Sequence, residues 1–215
     1  MSRKSAADEL MREYGQTFAE ECGIDLRAGT AAPLWQLLCA ALLYSARIRS
    51  AIATQAVQGL LRGGLGTADR MRMSSWDERV RILDEAGYAR YDERTATMLG
   101  EVAAQVSDEY GGDLRQLRER AQHDPRAERA LLKRSRGVGE VGVDIFFREV
   151  QVVWDELRPF ADRRALRAAE SRQLGSSPQD LQELVGERSL PRLVAALVRA
   201  GPAKKEGASS RDRRR

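Results

Sequence analysis

The stretch Arg136-Gly137-Val138-Gly139-Glu140-Val141-Gly142-Val143-Asp144 sets two glycines around one aliphatic residue, between two helical patterns. Gly137 and Gly139 permit left-handed or crowded backbone, and they let main-chain N–H groups approach an anion at the start of the following helix. Val138 would plug such a hairpin into the core. The chemistry on offer is a backbone grip on phosphate. An ordinary helix–helix turn closed by a glycine cap has the same composition, so the hairpin alone leaves both readings open. Ahead of it, a short helix predicted over Pro125 to Lys133 ends in the basic cluster Lys133, Arg134 and Arg136, which suits both the negative end of a helix dipole and phosphate. Past the tip, Pro159-Phe160-Ala161-Asp162-Arg163-Arg164-Ala165-Leu166-Arg167 places a lone carboxylate where another helix would begin. An aspartate there satisfies orphan N–H groups as an N-cap, whatever else it does.

Together, the hairpin and the delayed aspartate resemble the helix-hairpin-helix DNA glycosylase superfamily, in particular its endonuclease III-like branch. The family's Leu-Pro-Gly-Val-Gly-x-Lys-Thr-Ala hairpin corresponds to Ser135 to Val143, and its Val-Asp-Thr-His-x-x-Arg segment to Ala161 to Arg167. Both glycines, Asp162 and Arg167 match. Tyr44-Ser45-Ala46-Arg47 resembles the family's Leu-Leu-Ser-x-Gln segment, and Ala86-Gly87-Tyr88 its Ile-Gly-Leu/Phe-Tyr segment. The resemblance implies an all-α, two-lobed fold with a cleft between the lobes. It also implies a partner, double-stranded DNA, damaged or mismatched. Gly137, Val138, Gly139, Arg136, Lys133 and Arg47 would be the DNA-binding residues. Asp162 would be catalytic, stabilising positive charge on the deoxyribose and activating a water for base excision. Arg47 stands where relatives use a glutamine to fill the hole left by an extruded base; it would serve as a wedge or remain a solvated helix-end cation. Arg167 would steady its helix or touch the DNA backbone.

The departures narrow the chemistry. Bifunctional relatives attack the sugar with a hairpin lysine, and the aligned residue here is Val141. The chain has four lysines, and Lys133 lies on the wrong helix to substitute, so no lysine-dependent lyase step is expected. Glu140, at the hairpin tip, favours the helix end but repels phosphate. An iron–sulfur cluster needs four closely spaced cysteines, whereas this chain has only Cys22 and Cys39, both upstream. These read as buried small hydrophobes in a reducing compartment. With His123 as the single histidine, a multi-histidine metal site is excluded, and no cofactor is expected.

Composition fits a helical, intracellular chain: 42% of the 215 residues are hydrophobic and 32% charged, with 6 prolines. Met1 to Asp8 lacks the apolar core of a secretory signal, and the run Leu34 to Tyr44 is too short to cross a bilayer, so a cytoplasmic, nucleoid-associated protein is expected. The tail Pro202 to Arg215 carries Lys204, Lys205, Arg211, Arg213, Arg214 and Arg215 against Glu206 and Asp212, enough to account for the whole net charge of +4. DNA affinity of the folded part would therefore come from local patches and not from bulk charge.

The elements that must position these residues read as a succession of helices. Expected spans are Ala6 to Glu21, Pro33 to Ala46, Ser50 to Leu61, a helix opened by Ser75 and running to Glu85, Tyr91 to Tyr110, and Leu114 to Ala121. After the hairpin, Val143, Phe146, Phe147, Val150 and Trp154 form one core stripe. Further helices run from Asp162 to Gln173, from Ser177-Pro178, and from Leu190 to Ala200. Residues 1–201 would form the endonuclease III-like domain, with 30–154 as the barrel lobe bearing the hairpin and 1–29 with 155–201 as the second lobe; 202–215 would be a disordered basic tail. Three functions stay open: a monofunctional glycosylase using Asp162, a catalytically degenerate module that binds distorted DNA without excision, and a scaffold in which 137–139 is only a turn.

Overall fold

Caps and glycines cut the chain into helices. The computed structural model describes residues 2–203 and shows α1 (Arg3–Tyr14), α2 (Phe18–Cys22), α3 (Ala31–Ser45), α4 (Ser50–Arg62), α5 (Ala68–Met73), α6 (Trp76–Glu85) and α7 (Asp92–Tyr110). There follow α8 (Leu114–Arg120), α9 (Pro125–Lys133), α10 (Glu140–Val150), α11 (Arg163–Ser171), α12 (Pro178–Val185) and α13 (Leu190–Ala200). Tight 3-10 turns cover Leu26–Ala28, Asp155–Leu157 and Glu187–Ser189. No strand occurs among the described residues, and the fold is all-α. No described helix is long and apolar enough to cross a membrane. The basic tail expected over 202–215 lies, from 204 onward, outside the described residues.

Two elements depart from the sequence reading. The single helix expected over Ala6 to Glu21 is broken: Gly15 caps α1, and Thr17 with Glu20 forms a reciprocal capping box (3.2 and 2.9 Å) that restarts the chain as α2. Helix α5, opened by Thr67, lay unnoticed because six residues are too few for a helical stripe to register. Elsewhere capping follows expectation, as where the Ser75 hydroxyl accepts from Glu78 N at 3.1 Å to open α6.

Burial sorts the helices into two hydrophobic clusters. The larger is built on α3, whose Trp35, Leu37, Leu38 and Leu43 meet Leu60, Leu83, Leu99 and Phe146 from α4, α6, α7 and α10. In the smaller, Ala7 of α1 packs with Ala165, Ala168 and Ala169 of α11, Leu181 of α12, and Leu193, Val194 and Leu197 of α13. Ala19, Cys22, Ile24 and Leu26 belong to the larger cluster, while Phe18 turns into the smaller one. The seam thus runs through the capping box of α2. Both cysteines are buried and free, and burial pushes the Cys22 thiol up to about 11.

Helix α10 packs along α3, and a Cβ on Gly142 would sit in ordinary contact, 3.4 Å from Val138 Cγ1 and 3.9 Å from both Ala41 O and Ser45 Cβ. The fully buried Tyr88 donates its hydroxyl to Leu43 O (3.0 Å), pinning the end of α3. That pin ties the Ala86-Gly87-Tyr88 segment to the turn that carries Arg47.

Beneath α9, a half-buried charged cluster lies around the buried Glu128. Arg118 donates Nε and a terminal nitrogen to the two oxygens of Glu156, each at 2.6 Å, and stacks over Trp154. Glu128 of α9 is fully buried beside them, and neither of its oxygens has a partner. Burial first, then the neighbouring Glu156, push the Glu128 carboxyl up to about 8. Burial, the largest single influence, acts against ionisation of Glu156 too, but Arg118 and then Glu128 and the backbone together outweigh it and hold that carboxyl well below the ordinary range. His123 is exposed, facing Glu119 at 3.1 Å and Glu156 at 3.9 Å.

A raised carboxyl pKa in the folded state means that the native protein keeps a proton the unfolded chain releases, so its stabilising contribution is complete below the ordinary value and lost as pH climbs. The wild type should lose stability between about pH 4.5 and about pH 8 through Glu128. Glu128→Gln, which mimics the protonated acid, should flatten that slope and be the more stable protein above pH 8 by roughly 1–3 kcal/mol. Urea midpoints across this range check it; parallel pH profiles for the two proteins would rule it out.

Candidate nucleic-acid interface

Between α9 and α10 the chain makes the hairpin. Val138 N donates to Ser135 O at 3.0 Å, and Val138 itself is buried, the plug that its apolar character suggested. Gly137 is left-handed with φ +85°, which favours glycine, and a Cβ on it would fall 2.5 Å from Met98 Sδ, the mobile end of a side chain that could move aside. Gly139 is different: its backbone is extended, it is exposed, and a Cβ would meet nothing within 4 Å. It is the N-cap of α10, and no side chain caps that helix. The first N–H groups of α10 lack intrahelical acceptors, as at every helix start.

The charges around this tip are paired. Glu140 accepts from Lys133 and, at 2.8 Å, from Arg129, which also holds Asp144 at 2.8 Å. Lys133 first and then Arg129 hold the Glu140 carboxyl below its usual range. Arg134 pairs with Glu109 at 3.1 Å, and Arg136 with Glu101. Exposed pairs of this kind contribute roughly 0–1 kcal/mol each, so they can be exchanged for a phosphate at little cost. Arg47 is exposed in the turn after α3 and forms no ion pair among the described residues. The Ser45–Gly142 approach brings this turn beside the start of α10. Val141, where bifunctional relatives carry lysine, is 60% exposed and offers no amine.

Asp162 sits in another setting. It caps α11, its Oδ1 accepting from Arg164 N (2.8 Å) and Ala165 N (3.0 Å). Its Oδ2 accepts from Arg148 Nε at 2.9 Å and from a terminal nitrogen of the same guanidinium. The residue is 6% exposed and Arg148 5%. Gln151 braces the intervening chain by donating to Phe160 O (3.0 Å) and accepting from Phe160 N (3.1 Å). Both carboxylate oxygens are therefore committed to protein donors. Arg148 lies near the far end of α10, away from the hairpin.

The structure thus brings together Gly137, Val138, Gly139, Lys133 and Arg136, with the Arg47 turn beside them, and seats Asp162 apart from them in the interior. Three surface hollows of about 530, 570 and 650 Å³ are lined by other residues, and neither Asp162 nor the 137–139 loop contributes to them. Among the described residues no group of three His, Cys, Asp or Glu side chains is suited to hold a metal. Arg148 escaped the sequence reading. Its only signal is the pair of charges Arg148-Glu149 inside the apolar stretch Phe146 to Val150, which demands buried partners without saying which. No protein-family model matches the chain, and no curated protein or solved structure is significantly similar to it.

Because the pair is enclosed, removing one partner strands a buried charge. Asp162→Asn should destabilise the protein by about 3–5 kcal/mol. Pairing it with Arg148→Met should recover much of that loss, since the stranded guanidinium is gone. Chemical denaturation of the two variants reads both numbers; a near-neutral Asp162→Asn would show that the carboxylate is solvated in solution.

Proposed function

We propose that this protein binds the backbone of double-stranded DNA through the 137–139 hairpin, as a helix-hairpin-helix module that engages distorted duplex without excising a base. The observation that carries the reading is the uncapped start of α10 under an exposed glycine, on a loop anchored by the buried Val138 and its hydrogen bond to Ser135 O. Such a tip presents main-chain N–H groups and the positive end of a helix dipole to an anion. Lys133, Arg136 and Arg47 stand around it. The likeness of Ser135–Val143 to the family hairpin supports the same partner.

Binding without chemistry is preferred to glycosylase action because Asp162 would have to give up both the α11 cap and Arg148 before it met a sugar. Monofunctional excision is the reading that this one displaces. Incubation with duplexes bearing oxidised, deaminated, alkylated and mismatched bases, followed by alkali, separates them: strand breaks with the wild type would restore the glycosylase.

Two substitutions test the hairpin in opposite directions. Gly139→Asp supplies α10 with a favoured N-cap and should leave stability unchanged or slightly raised. Its carboxylate would face the phosphate, so duplex affinity should fall roughly tenfold or more. Glu140→Gln removes the charge paired with Lys133, leaves Arg129 with Asp144 alone, and should strengthen binding, steepening the dependence of log K on log salt by about one. Fluorescence anisotropy over a salt series reads both; indifference to both substitutions would remove the hairpin from the interface.

A further inference from the structure

The first turns of α11 carry a charge pattern that folding alone does not favour. Arg163, Arg164 and Arg167 are exposed, while Ala165, Ala168 and Ala169 face the second hydrophobic cluster. Arg163 and Arg167 stand four residues apart on one face, a spacing at which like charges repel. Arg163 and Arg164 occupy the first turn, where the dipole also disfavours cations, Arg167 follows at mid-helix, and no acidic residue lies in the first turn. Among the described residues none of the three forms an ion pair or a side-chain hydrogen bond, and Glu170, farther along, pairs with none of them.

Other early-helix cations are occupied or stand singly beside acidic residues: Arg70, Arg94 and Arg126 are exposed and unpaired among the described residues, but each shares its first turn with Asp69, with Asp92 and Glu93, or with Glu128. On α1, Arg3 donates to Leu174 O and Lys4 to Leu184 O, and on α8 Arg115 holds Asp113. The basic residues at the hairpin are likewise matched by Glu101, Glu109 and Glu140. The α11 arginines are thus ready for an external polyanion without breaking any internal contact, and the buried Arg148–Asp162 pair fixes the helix that bears them to α10.

We infer that the exposed face of α11, through Arg163, Arg164 and Arg167, is a second phosphate-binding surface that engages the backbone of the duplex held at the hairpin. The inference rests on the DNA-binding reading above, and charge complementarity selects the partner: a rigid surface of three unopposed guanidiniums suits closely spaced phosphates. The hairpin supplies a directional amide grip, and α11 supplies the salt-sensitive share of the affinity.

The test uses the full chain and compares three proteins on one duplex across a salt series. These are the wild type, an α11 variant (Arg163→Gln, Arg164→Gln, Arg167→Gln), and a control (Arg62→Gln, Arg70→Gln, Arg94→Gln) with the same charge change on helices of the larger cluster. The α11 variant should bind roughly ten- to thirtyfold more weakly at low salt, with a salt slope shallower by about two to three, while the control shifts far less. Its thermal midpoint should not fall, because the substitutions relieve repulsion at the helix start. Equal losses in the α11 variant and the control, or no loss in either, would overturn the inference while leaving the hairpin reading intact if Gly139→Asp still weakens binding. Wild type that ignores duplex at every salt overturns both. Wild type that instead binds vesicles rich in anionic phospholipid, in an α11-dependent way, assigns the face to lipid and overturns the inference too.

Discussion

The enclosed contact between Arg148 and Asp162 is the constraint on which the rest of the arrangement depends. It joins α10, the helix that issues from the hairpin, to the N-cap of α11, and so couples the larger hydrophobic cluster to the smaller one. A buried ion pair is seldom a strong net source of stability, because desolvation offsets most of the attraction. It is, however, highly directional. One carboxylate caps α11 with one oxygen and receives the Arg148 guanidinium with the other, so two hydrogen bonds from α10 meet the residue that opens α11. Phe18, against Arg148 and Arg199, adds an aromatic wedge at the same seam.

This constraint also governs the reading of function. In the glycosylase-like interpretation the aspartate opens toward a flipped nucleotide; here it faces inward and is saturated. What stays on the surface is the part of the resemblance that needs no side-chain chemistry: a glycine tip, an uncapped helix start and cations around it. Glu140 is less of an obstacle than its charge suggests, because Lys133 and Arg129 already neutralise it.

Much of the architecture was legible in the sequence, for identifiable reasons. Long helices with clear stripes, such as those over Asp92–Tyr110 and Leu190–Ala200, announce themselves through periodicity and terminal glycines. The Val138 plug and the apolar face of Val143, Phe146, Phe147 and Val150 follow from the same logic. The break at Gly15 was hidden because the apolar residues on either side continue one stripe, and the decisive signal, Thr17 with Glu20, is a local cap that competes with it. For the candidate site the limit was different. Motif spacing placed Asp162 at a helix start, which is where it stands, but whether that start faces solvent or Arg148 depends on a contact fourteen residues back along the chain. Spacing is blind to such pairings.

The unpartnered carboxyl of Glu128 has a consequence for the heat of folding. Between about pH 4.5 and about pH 8 the native chain holds a proton there that the denatured chain does not, so folding draws one from the buffer. Calorimetric unfolding enthalpies at neutral pH therefore include the buffer's own ionisation heat, and phosphate and Tris, whose ionisation heats differ widely, would return different apparent values for the same molecule.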